Sequence, residues 1–213
     1  MDFFLCPSVE RIKNKKVRMA AFLKFLGERY PEPECALTHM STFELICATI
    51  LSAQCTDRQV NLVTPALFKA YPDAESLATA KIGDVEKLVK STGFYKNKAK
   101  NLVAMAANLV LRHKGEVPQT MEELTALPGV GRKTANVVLG NAYNIPGMVV
   151  DTHVARTALR LGFTKETDPV KVEQVLMKQV PKESWNDFSH QVIYLGREFC
   201  TARKPKCENC PFL

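Results

Sequence analysis

Apolar residues recur at helical spacing along almost the whole chain. Leu102, Val103, Ala106, Leu109 and Val110 mark a helix over 101–113, ended by Gly115, and Ala135, Val138, Leu139 and Ala142 mark another that starts near Arg132. Trp185, Phe188, Val192 and Leu195 form a third apolar stripe, on a helix over 182–199, and are read as core. Start signals agree with the periodicity. Ser41-Thr-Phe-Glu44 and Thr120-Met-Glu-Glu123 have the capping-box form and open helices running to Leu51 and Leu127. Asp168 before Pro169 opens a helix over 169–180, and Asp151 precedes one over 152–161 that Gly162 stops. A helix over 58–71 follows a polar turn at 52–57, and Gly83 separates two short helices over 73–80 and 84–91. Residues 1–34 read as helical, and Pro31, Pro33 and the segment through His39 as a linker. No strand signal and no internal repeat accompanies this pattern, so the prediction is all-α.

The length of 213 residues suits one or two domains with a real core. A net charge of +7 and a pI near 9.0 suit a polyanionic partner, although basic composition alone does not identify one. Arg11, Lys13, Lys15, Lys16 and Arg18 lie close together, equally readable as a solvated face or as a DNA contact. No apolar run approaches the ~18 residues of a membrane helix. The short apolar patch at the start precedes the charges, the wrong order for a signal peptide. The expectation is a soluble, cytoplasmic protein with no membrane partner. Seven cysteines in a reducing compartment then point to thiols or metal ligands and not to disulfides.

The candidate chemistry gathers in 127–154, LPGVGRKTANVVLGNAYNIPGMVVDTHV. Gly129 and Gly131 flank Val130, and glycines reach backbone angles that side chains forbid, so the turn can be tight with bare amides. Two helices joined by such a hairpin place N–H groups and a positive helix end at one spot, an anion site that a DNA phosphate fits. Lys133 falls in the first turn of the second helix, where the dipole, with partial burial, would favour the neutral, nucleophilic amine. Asp151 stands at the start of the next helix. Singly these features have plain explanations: Asp is a favoured N-cap, and most first-turn lysines are solvated.

Together they are more specific. LPGVGRKTANVV followed by VDTHV closely resembles the helix–hairpin–helix base-excision DNA glycosylases, and within them the endonuclease III branch. The resemblance implies that Lys133 attacks the sugar C1′ and that Asp151 assists. It implies DNA contact through Gly129, Val130, Gly131 and Arg132, with His153 lining the cleft. LSAQCTD resembles the family too, and implies that Gln54 fills the hole left by a flipped base, recovering part of the few kcal/mol of unstacking. Phe94 and Tyr95 beside Lys96, Lys98 and Lys100 read as a base-stacking wedge next to phosphate ligands, or as a helix start with both rings in the core; the resemblance favours the wedge, with Phe94 at the DNA. Cys47 and Cys55 read as structural.

Cys200, Cys207 and Cys210 give C-x6-C-x2-C, a metal site that could take zinc or an iron–sulfur cluster. The resemblance separates the two, because in the family C-x6-C-x2-C-x5-C holds a 4Fe–4S cluster. The fourth cysteine would stand at 216, past Leu213. Truncation within the ligand loop is the favoured explanation; a water or other ligand, or no cluster, are the others. The cluster's implied role is structural: it holds Arg203, Lys204 and Lys206 as a phosphate-binding finger.

The resemblance covers the chain from about residue 20 onward and implies two helical domains flanking a DNA-binding cleft. Residues 35–145 would form a six-helix domain carrying the hairpin; 1–34 and 146–213 would form the other. Lys133 and Asp151, one from each, would meet at the cleft. The expected function is a monomeric bifunctional DNA glycosylase and AP lyase, working at the nucleoid on double-stranded DNA with a damaged pyrimidine or abasic site. A mismatch-specific glycosylase of the same fold and a non-catalytic helix–hairpin–helix binder are the rivals. Lys133 argues against the first, and Lys133 with Asp151 against the second.

Overall fold

A turn of helix, α1 (Ser8–Arg11), precedes α2 (Lys15–Arg29), which Asn14 caps by accepting the N–H groups of Lys16 and Val17 at 3.0 and 3.2 Å. The computed structural model describes residues 5–212. Not all of the N-terminal basic cluster is solvated. Arg18 is 3% exposed, and its guanidinium donates to the carbonyls of Leu161 (2.8 Å), Ile12 and Gly162. It is a tie inside the fold and available to no phosphate.

The chain divides into two compact units, Cys35–Ile145 and the pair Met1–Glu34 with Pro146–Leu213. The first unit is built around α3 (Thr42–Leu51), in which Phe43 and every residue from Leu45 to Leu51 are buried. A helix apolar on all sides belongs in the middle. Ser41 caps it as the sequence predicts, but the carboxylate of Glu44 reaches back to the Met40 N–H at 2.6 Å, one residue beyond a standard box. Then come α4 (Asp57–Ala70), capped by Thr56, and α5 (Ala74–Ala78), capped by Asp73. In α6 (Ile82–Val89), Gly83 lies inside the first turn and does not separate helices, because Lys81 takes the N-cap.

A 3₁₀ turn, Lys90–Thr92, leads to α7 (Tyr95–His113), which starts six residues before the predicted 101. The cause is Lys98. Its stem is buried with Ala99 and Leu102, so the apolar stripe extends backward, and its ammonium donates to the Thr92 carbonyl at 2.7 Å. Lys98 is therefore not a phosphate ligand, whereas Lys96 and Lys100 are exposed. α8 (Met121–Thr125) and α9 (Arg132–Tyr143) close the unit, which thus holds seven α-helices, not six.

The second unit adds α10 (Thr152–Arg160), α11 (Pro169–Met177) and α12 (Trp185–Glu198) to α1 and α2. Its core centres on Phe22, fully buried, with the rings of Phe163 and Phe188 at 5.5 and 6.2 Å. Phe188, Val192 and Leu195 of the predicted α12 stripe are each at most 2% exposed. Trp185 is half-buried and donates its indole N–H to Val180 at 3.0 Å. Among the described residues there is no strand, and no helix is long and apolar enough to cross a membrane.

Candidate functional site

The hairpin between α8 and α9 is pinned by two buried side chains, Leu127 and Val130, and by the Val130 N–H donating to the Leu127 carbonyl at 3.1 Å. The two glycines differ in what they do. Gly129 has φ +77°, and a Cβ there would lie 2.8 Å from the Asn101 Cβ of α7. Gly131 has φ −94°, an extended angle open to any residue, and a Cβ there meets nothing within 4 Å. The expectation that both need glycine's freedom is thus corrected to Gly129 alone. Gly131 is instead the N-cap of α9, and it brings no side chain to compete for the first-turn amides. Gly131, Arg132 and Lys133 are all exposed. Lys133 lacks the expected partial burial; it stands exposed in the first turn of α9.

Two more candidates of this unit share an uncommon backbone state. Gln54 (φ +52°) and Phe94 (φ +47°) are left-handed, as are Lys114 and Asn144. The last two are C-caps of α7 and α9, where that conformation is ordinary. Gln54 and Phe94 are not. Each sits in a turn with its side chain exposed, Phe94 at 66%. A left-handed bulky residue costs about 1–2 kcal/mol, and an exposed ring recovers little of that by packing, so the core alternative for Phe94 is excluded. The Gln59 side chain donates to Ser91 Oγ at 2.8 Å and ties the start of α4, after Gln54, to the turn before Phe94. Asn101, under the hairpin, lies two turns along α7 from Phe94, about 10 Å at 1.5 Å per residue.

In the other unit Asp151 caps α10 with one oxygen: Oδ1 accepts from His153 and Val154 at 2.8 and 2.9 Å. Oδ2 takes neither bond. His153 is half-buried, and its Nδ1 lies 3.1 Å from the Arg156 guanidinium, which can only donate. Gly196 makes room for the ring, since a Cβ at 196 would lie 2.8 Å from the His153 Cβ.

The cysteine tail is clasped by two arginines of α10. Arg156 Nε donates to the Cys200 carbonyl at 2.9 Å. Arg160 donates to the carbonyls of Thr201 and Ala202 at 2.7 and 2.9 Å and reaches Cys200 Sγ at 3.4 Å. Cys200, Cys207 and Cys210 line one cavity with Leu161, Leu195, Phe199 and Phe212, and Cys6 lines it too. All four are free thiols. Burial, then neighbouring thiols, push Cys207 and Cys210 upward in pKa, and a cationic cluster would reverse that. No three His, Cys, Asp or Glu among the described residues converge on a single metal-ion position. Thiols ringing an apolar cavity suit a polynuclear cluster, whose irons are spread, better than one tetrahedral ion with all its sulfurs ~2.3 Å away. Arg203, Lys204 and Lys206 are exposed in the connecting loop, where the Thr201 hydroxyl donates to the Lys204 carbonyl at 2.6 Å.

Sequence reasoning missed Asn101, the two arginines and Cys6. Arg156 and Arg160 stand four apart, on one helix face, and that spacing was the available signal. Neither Asn101 nor Cys6 has a local one.

Similarity to known proteins places the chain in a family. A family described as HhH-GPD superfamily base excision DNA repair protein matches residues 47–182, and the iron–sulfur binding domain of endonuclease III matches 200–213. Endonuclease III of Synechocystis sp. is 51% identical over 203 residues, spanning 95% of this chain and 93% of that protein. The Bacillus subtilis protein is 45% identical, over 88% of this chain and 86% of its own. The structure of a non-covalent endonuclease III–DNA complex matches with a TM-score of 0.89 at 42% identity and 92% of each chain. A trapped endonuclease III–DNA covalent intermediate matches equally, at 0.89 and 42%, over 92% of this chain and 93% of that one. The chain therefore belongs to the HhH-GPD superfamily of base excision DNA repair proteins, as a member of its endonuclease III family.

Proposed function

We propose that Lys133 is the nucleophile and Asp151 the assisting carboxylate of this base excision repair DNA glycosylase and AP lyase, and that its lesions are damaged pyrimidines. The observation that carries the assignment is the placement of Lys133: exposed, in the first turn of a helix capped by Gly131, directly after a turn that requires glycine at 129. Phosphate held at the N-terminus of α9 would bring a sugar within reach of the amine. The existence of a trapped covalent endonuclease III–DNA intermediate supports a nucleophile on the enzyme.

In this reading the base leaves the stack, and Gln54 and Phe94 enter the vacated space. The Lys133 Nζ lone pair attacks C1′, and the bond from C1′ to the base breaks. Oδ2 of Asp151, not used in capping, stabilises the positive charge on the sugar and accepts a proton from the amine. Loss of the ring oxygen's bond to C1′ leaves a Schiff base, and β-elimination then cuts the strand 3′ to the lesion. Arg132, Val130 and the two glycines hold the phosphate, with Arg203, Lys204 and Lys206 as a second contact, while His153 orients Arg156. The 4Fe–4S cluster belongs to the iron–sulfur domain, with Cys200, Cys207 and Cys210 to hold it. When bound it supplies a covalent cross-link that orders the 200–210 loop. The protein works as a monomer at the nucleoid, where its substrate is.

A panel of duplexes tests the substrate class. Oxidised pyrimidines should be released and the strand cut, while undamaged mispairs remain intact. Release of a normal mispaired base without strand scission would favour the mismatch glycosylase, and binding with neither product would favour a non-catalytic module.

A further inference from the structure

Helix α10 brings a second donor to the cysteine cavity besides Arg160. Thr157 lines that cavity one turn before Arg160, on the same helix face, and is 1% exposed. Its hydroxyl has no hydrogen-bond partner among the described residues. A buried hydroxyl left without a partner costs free energy, and native structures contain few of them. The usual outlet for a threonine inside a helix is the carbonyl four residues back. Thr49, also buried, takes that outlet by donating to Leu45 at 2.7 Å, and Thr125 donates to Met121 at 2.8 Å. Thr157 does not. Its neighbours on the cavity wall offer little else. Leu161, Leu195, Phe199 and Phe212 have no side-chain acceptor, and the Arg160 guanidinium can only donate. The side-chain acceptor that remains in this cavity is sulfur.

We infer that the Thr157 hydroxyl donates a hydrogen bond to a sulfur of the iron–sulfur cluster, and that this bond raises the cluster's reduction potential. The inference rests on the cluster reading of Cys200, Cys207 and Cys210 and adds a positioning residue from α10. Cluster sulfurs, sulfide and thiolate alike, carry negative charge, and hydrogen bonds to them are one of the levers that set the potential. Reduction puts more negative charge on those sulfurs. A donor therefore stabilises the reduced form more than the oxidised one. Arg160, whose guanidinium reaches Cys200 Sγ at 3.4 Å, acts from the same helix face and in the same sense. Together the two donors play the part of outer-shell partners, which orient a metal site and tune it.

Two substitutions separate the hydroxyl from the shape of the side chain. Thr157→Val keeps the branch and loses the hydroxyl, whereas Thr157→Ser keeps the hydroxyl and loses the methyl. The holoprotein and both variants are purified anaerobically, and iron and acid-labile sulfide are counted. The reduction potential is measured by voltammetry, and the reduced, paramagnetic cluster is examined for magnetic coupling to protons that exchange in heavy water. In Thr157→Val the reduced-to-oxidised ratio at a fixed potential should fall about three- to tenfold, a downward shift of about 28 to 59 mV for a one-electron couple. One coupled exchangeable proton should disappear with it. Thr157→Ser should keep the potential and the proton of the parent. A Val variant that holds no iron, beside a Ser variant with the parent's content, would support the inference through occupancy. An unchanged potential and proton coupling in Thr157→Val, or equal changes in Val and Ser, would overturn the inference alone and reduce Thr157 to packing. A parent that holds no iron would overturn the cluster reading and the inference with it.

Discussion

Replacing Gly129 by alanine, beside the same change at Gly131, separates a glycine that the backbone requires from one that merely occupies a cap. At 129 the methyl group forces a left-handed angle of +77° that costs about 1–2 kcal/mol for a residue with a Cβ. It also lies 2.8 Å from the Asn101 Cβ, so α7 or the hairpin must give way. If the hairpin holds its shape, the strain appears in folding, as a loss of about 2 kcal/mol. If the hairpin relaxes, folding is spared and the strain appears as weaker phosphate binding, about 5- to 30-fold for 1–2 kcal/mol. At 131 the backbone is extended and the space empty, so alanine should stay within about 0.5 kcal/mol. The assays are denaturant unfolding and affinity for matched and lesion-bearing duplexes across a salt series. Phosphate contact carries no sequence information, so Gly129→Ala should weaken both duplexes by the same factor. Equal effects at 129 and 131, or a defect confined to damaged DNA, would refute the reasoning.

Asp151→Asn should leave the melting temperature unchanged, because asparagine caps a helix about as well as aspartate, and still lower turnover at least tenfold by removing the charge on Oδ2; Asp151→Ala should lose about 1 kcal/mol of stability in addition. Unchanged turnover in Asp151→Asn would reduce the residue to a cap. Phe94→Gly and Gln54→Gly should melt no lower than the parent, since release of left-handed strain, about 1–2 kcal/mol, offsets the entropy cost of glycine, about 0.5–1 kcal/mol. The same variants should slow base release from duplex DNA while sparing cleavage of a single-stranded abasic site, where nothing need be flipped. A drop in melting temperature would mean that the two side chains pack after all.

Helix starts were readable because capping is local: Ser41, Thr120, Asp151 and Asp168 each accept a first-turn N–H from a residue two or three positions on. The hairpin was readable for the same reason. Lys98 and Arg18 were misassigned because charge alone suggested solvent, whereas each has a long stem to bury and a carbonyl to meet at its end. Gly83 misled because glycine is tolerated in a first turn as well as between helices. Phe94 and Gln54 show the opposite case. Neither residue type announces a left-handed angle, and only the backbone reveals that each is held out at a cost. The seat of Gly129 on Asn101 and the gathering of Cys6 with Cys200, Cys207 and Cys210 are tertiary facts, and no window along the chain contains both partners.

Borohydride reduction of the protein on an abasic duplex, followed by peptide mapping of the adduct, tests the central assignment most directly. The account predicts one covalent adduct, on the peptide bearing Lys133, and none in Lys133→Gln, which should still bind the duplex. An adduct on another amine, or strand cleavage by Lys133→Gln at the parental rate, would contradict it.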